Sequence, residues 1–112
     1  MIKSIGLLRR KLGTTREQFI DHWVNIHAPM SDAIPVVRRY VLNFIVAEPV
    51  RSDMPSMGLE GGVDGIAELW FDDQEAYARF RASDVAKKWL ADGATFIGSA
   101  QSFLVEEKVI ID

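Results

Sequence analysis

In the stretch FIDHWVNIHAPM, residues 19–30, Phe19, Trp23 and His27 recur every four positions, so a helix would set them in one line. Ile20 and Val24 widen that line into an apolar face, and the stripe ends in an imidazole rather than another hydrocarbon. Histidine changes charge near neutrality, so a ring at the edge of a buried face is a candidate general base and acid. Pro29 is expected to stop the helix and to bias Ala28 towards an extended conformation. His27 would then sit beside unpaired carbonyls at the negative end of the helix dipole, which favours the cation, while burial favours the neutral ring. The residues alone leave that balance open.

Tyr40 lies in the middle of VVRRYVLNFIV (36–46), where its hydroxyl could pack or could hydrogen-bond a developing oxyanion. Glu68 is flanked on its own strand face by Ile66 and Trp70, so a buried carboxylate there needs a partner, structural or chemical. Trp23, Trp70, Trp89 and Phe80 read as core or pocket wall. Arg9, Arg10 and Arg39 read as solvated strand ends that could alternatively hold a substrate carboxylate. His22 is five positions from His27, about 140° round an α-helix, and is expected to face solvent, so no metal site is expected from the two histidines. No serine–histidine–acid set or paired catalytic carboxylates can be assembled. The chemistry these residues fit is proton transfer next to a carbonyl, with His27 as base and acid and Tyr40 on the oxyanion.

Elements must hold these groups in place. The 112 residues read as a single domain, 1–112, and 48% apolar with 26% charged residues argues for a folded chain. A formal charge of −3 without a basic patch argues against nucleic acid. No apolar run reaches membrane-span length, and MIKSIGLLRRK is too short and charged for a signal peptide, so the expected location is the cytoplasm. The lack of cysteine excludes disulfides, thiolate metal centres and cysteine nucleophiles.

Ile2 to Arg10 reads as a first strand, and Thr14 with Glu17 as a capping box opening a helix over Arg16 to Ile26. Val36 to Val46 reads as a strand that is apolar on both faces. Residues 48–65 form a long loop whose glycines lead into a strand instead of opening a helix, which argues against a phosphate cradle. Ile66 to Phe71 is the third strand. Asp72 and Glu75 suggest a helix start with Ala76, Tyr77 and Phe80 buried. Ser83 and Asp84 suggest another start, with Val85, Trp89 and Leu90 apolar and Gly93 as the stop. Gln101 to Ile111 closes the set as a last strand. The order β-α-β-β-α-β predicts an α+β, ferredoxin-like sandwich whose helices cover one sheet face. The other face is expected to be buried in a homodimer.

Together, Phe19, Trp23, His27-Ala28-Pro29, Arg39-Tyr40, Glu68-Leu69-Trp70-Phe71 and Phe96-Ile97-Gly98 resemble the EthD family of dimeric α+β barrel proteins. Within it the pattern is most similar to muconolactone methylisomerases, from about Ile5 to Val109. The resemblance implies a homodimeric isomerase or lyase that needs no cofactor and acts on a small lactone or aromatic catabolite. It places the helix-end histidine and strand tyrosine of the proposed active site at His27 and Tyr40. Trp23, Glu68, Trp70, Phe80, Trp89 and Asp53 are the expected substrate-binding residues. The chain departs from the methylisomerase pattern at Asp53 and Leu69, where those enzymes carry a loop histidine and a strand cysteine. The wider family adds a cyclase, decarboxylase or oxygenase of aromatic polyketides as an alternative. A non-catalytic dimer that binds a hydrophobic small molecule is the third reading.

Overall fold

Alternation organises the first strand. In the computed structural model, which describes residues 1–112, β1 (Ile2–Arg10) turns Ile2, Ser4, Gly6 and Leu8 inward and leaves Lys3, Ile5 and Leu7 half-buried on the other face. β1 lies between β3 (Gly65–Phe71) and β4 (Ile97–Glu106), and β2 (Arg39–Phe44) extends the sheet beyond β3, giving the antiparallel order β2-β3-β1-β4. With α1 (Arg16–His22) after β1 and the pair α2 (Gln74–Ala82) and α3 (Asp84–Gly93) after β3, the chain is an α+β, ferredoxin-like sandwich.

The elements depart from the expected boundaries where local chemistry overrides the pattern. The capping box is Thr15 with Gln18, one residue later than Thr14 with Glu17, and its two hydrogen bonds measure 3.1 and 3.0 Å. Pro29 does not end the helical run. α1 passes into a π-helical turn over Trp23–His27, and then into a 3-10 segment over Ala28–Ala33 that holds Pro29 in its first turn. A missing N–H costs nothing there, so Ala28 stays helical at φ −60°, ψ −43° instead of extended. Asp73, not Asp72, caps α2, accepting from Ala76 N–H at 2.8 Å, while Asp72 pairs with Arg38 at 2.9 Å. Ser83 ends α2 and caps α3 as expected, but Val85 and Leu90 are 42% and 44% exposed while Ala86 and Trp89 are buried. β2 is shorter than the Val36 to Val46 run that suggested it, since Val36 and Val37 pack against the core outside the sheet, and β4 lies earlier than Gln101 to Ile111, running from Ile97 to Glu106.

Two apolar clusters fill the space between helices and sheet. One gathers Leu8, Phe19, Trp23 and Phe96. The other gathers Ile2, Ile34, Leu69, Phe71, Ala76, Phe80, Ala86 and Trp89. A Cβ at Gly65 would run into the Trp23 ring, so the glycine lets β3 pass beneath it.

Candidate active site

Small residues at the centre of the inward sheet face open the seam between the clusters. Gly6 pairs with Ala67 on one side and Ser102 on the other, so no large side chain fills the middle. The result is a cavity of about 330 Å³ floored by Ser4, Gly6 and Ala67 and walled by Trp23, Phe80 and Trp89. That volume suits a small organic ligand.

His27 and Tyr40 both line this cavity. The His27 ring is 6% exposed and lies flat on Trp89, with centroids 4.7 Å apart and planes 10° from parallel. Phe96 packs against it at 5.2 Å. Trp89 Nε1–H donates to the His27 carbonyl at 2.8 Å, so that carbonyl is not an unpaired helix end. His27 Nδ1 lies 2.8 Å from Asp92 Oδ2, and Nε2 has no protein partner. Burial is the larger effect on the ring and outweighs the attraction of Asp92, so His27 titrates below its ordinary 6.5. Burial also works against the Asp92 charge, but hydrogen bonds from His27 and His22 hold that carboxyl below the usual range. The pair rests as a neutral imidazole beside an ionised carboxylate.

Tyr40 accepts a hydrogen bond from Trp23 Nε1–H at 2.9 Å, which leaves its own O–H free to donate. Burial pushes its pKa up to about 12, so the hydroxyl stays protonated through the neutral range. Its ring meets Trp89 edge-on at 5.3 Å. Trp89 therefore touches both the His27 imidazole and the Tyr40 ring.

His22 is not solvent-facing. It stacks on Phe96 at 4.5 Å and reaches Asp92 with Nε2 at 3.1 Å. The π-helical turn explains the error: Ala28 N–H bonds to the Trp23 carbonyl, and the wider turn brings residues five apart round to one side. Asp92 escaped the sequence reading altogether. It stands three residues beyond Trp89, on the same side of α3, but only the packing of α3 on the π-helical turn gives it a partner.

The structure does not bring Glu68, Trp70 or Asp53 to this cavity. Glu68 and Trp70 point to the opposite sheet face. There Glu68 is paired with Lys3 Nζ at 2.8 Å and accepts from Asn43 at 2.8 Å, contacts that lower its pKa. Trp70 lies under Lys3 and Arg39, at 4.9 and 4.7 Å, and donates to Glu107. Asp53 is exposed in the long loop and paired with Arg51 at 2.6 Å. Leu69, one of the two departures from the methylisomerase pattern, does line the cavity. Arg9 and Arg10 are tied to Gly62 and Asp64 away from it.

The sequence matches the model of the methylmuconolactone methyl-isomerase family over residues 1–110. It is 32% identical over 109 residues to the 4-carboxymethyl-4-methylbutenolide mutase of Pseudomonas reinekei, covering 97% of this chain and all of that protein. Its backbone is similar to the crystal structure of an EthD family protein from Bacillus halodurans, with TM-score 0.77 and 28% identity over 96% of this chain and 99% of that one. A dimeric ferredoxin-like protein from Thermobifida fusca shares the fold at 14% identity, with TM-score 0.68 over 93% of this chain and 88% of that one.

Proposed function

The chain belongs to the methylmuconolactone methyl-isomerase family, and on that premise we propose that it is an isomerase of a small lactone that works by proton transfer next to the carbonyl, without a cofactor. The observation that carries this reading is one cavity holding a neutral histidine with a free Nε2 and a protonated tyrosine with a free O–H. Nε2 takes the proton from a carbon activated by the lactone carbonyl. The electron pair moves onto the carbonyl oxygen, and the Tyr40 O–H bonds the oxyanion. The imidazolium then returns the proton to a different carbon, so an isomer of unchanged composition leaves. Trp23, Phe80 and Trp89 supply apolar walls for the ring.

Arg81 is the one cation lining the cavity, no carboxylate lines it, and the only hydrogen bond of the guanidinium is to the Tyr77 hydroxyl at 3.2 Å. A free positive charge at the mouth suits a lactone bearing a carboxylate, and the Pseudomonas relative is named for a carboxymethyl butenolide. The perturbed base and its polar neighbours favour catalysis over passive binding of a hydrophobic molecule. A screen of lactones and phenolic acids by NMR, reading both binding and turnover, tests the reading.

The pH profile is a second test. His27 must be neutral to accept a proton, so kcat/KM should be flat above neutrality and fall along an acid limb centred below 6.5. Tyr40, at about 12, should add no alkaline limb in the working range. Stability should change in the same direction. Below 6.5 the unfolded chain takes up a proton that native His27 excludes, so stability falls with pH until the native ring also protonates. A limb centred above 7 would assign the base to another group.

The open sheet face supports a homodimer, with each copy a single domain. Ile5, Leu7, Val41 and Ile66 lie half-buried there, and Val46, Val50 and Met57 beside them are 90%, 91% and 90% exposed. A patch of this kind calls for a partner surface, and the Thermobifida neighbour of the same fold is dimeric. Sedimentation at micromolar concentration should find two copies; a stable monomer would reject face-to-face pairing.

A further inference from the structure

We propose that Asp92 is a positioning residue for the reaction, holding His27 as the tautomer with its proton on Nδ1 so that Nε2 faces the cavity as a bare acceptor. The inference rests on the reading of His27 as the base. The carboxylate oxygen Oδ2 lies 2.8 Å from His27 Nδ1, and an ionised carboxylate can only accept, so the Nδ1 of the neutral ring must carry the hydrogen. Turning the ring over would keep it against Trp89 and Phe96 but would put a carbon opposite Asp92 in place of Nδ1, so the hydrogen bond is what fixes which edge faces α3.

Asp92 is itself held. His22 Nε2 approaches both of its oxygens, at 3.1 and 3.3 Å, and no lysine or arginine competes for the carboxylate. His22 comes from α1, Asp92 from α3 and His27 from the π-helical turn, so three segments converge on one carboxylate. The other titratable groups on this cavity are Tyr40 from β2, Tyr77 and Arg81 from α2, and none of them bonds Asp92 or His27. The arrangement matches the general logic of an imidazole base whose far nitrogen is fixed by a carboxylate.

The test is nitrogen-15 NMR of histidine-labelled protein above pH 7, combined with kinetics on the lactone found by screening. Wild type should show a protonated Nδ1 and a bare Nε2 at His27. In Asp92→Ala the proton should move to Nε2 in a large share of molecules. That variant should lose about 10²–10⁴-fold in kcat with little change in KM. Wild type with its proton on Nε2 overturns the proposal without any variant having to fold. A folded Asp92→Ala with unchanged tautomer and unchanged kcat overturns it too. Full turnover by His27→Ala would reject the base itself, and because the tautomer is read independently of turnover, the two failures can be told apart.

Discussion

His27→Ala is expected to lower turnover by about 10²–10⁴-fold, the usual loss when a general base is removed. The side chain also stacks on Trp89 and bonds Asp92, so some stability will be lost with it. Rate per folded molecule is therefore the quantity to compare. If His27 only packs, stability falls and the rate of the folded fraction is kept; if it is the base, the rate falls even where the fold is intact. Tyr40→Phe separates the second role. It retains the ring but removes the O–H aimed at the oxyanion, and should cost about 10²–10³-fold in kcat. It also leaves Trp23 Nε1–H without its acceptor, an expected loss of about 1–3 kcal/mol that chemical denaturation would measure.

Trp23→Ala should be the most destabilising single truncation, by about 3–5 kcal/mol. The ring is 1% exposed, packs on Phe19 at 5.4 Å and on Phe44 at 5.6 Å, and lies close over Gly65. Removing it opens a hole between the π-helical turn and the sheet, and it strips one wall from the cavity. A denaturation midpoint near that of wild type would show that the ring does not carry this packing.

Much of the fold is legible in the residues because its signals are local. The alternation of Ile2–Arg10, the aromatic and β-branched content of Arg39–Phe44, and the Ser83 cap depend only on near neighbours, and the β-α-β-β-α-β order follows from them. The Phe19–Trp23–His27 line also survives, since α1 and the π-helical turn keep all three buried. That turn is what sequence periodicity cannot see: a 3.6-residue repeat sends His22 outwards, whereas the wider turn sends it to Asp92. Glu68 and Trp70 show a different limit. Their alternation correctly separates the faces of β3, but which face holds the cavity depends on where the helices pack. Asp92 carries no local mark, because its meaning comes from a contact 65 positions away in the chain.

Cofactor-free isomerisation through His27 can be read by following carboxymethyl-substituted butenolides with the wild-type protein by proton NMR, after dialysis against a chelator and with no coenzyme added. The expected result is conversion of one lactone into an isomer of the same mass, at a rate that collapses in folded His27→Ala. Lactones that bind in the cavity yet never convert, or that convert equally fast without His27, would contradict it.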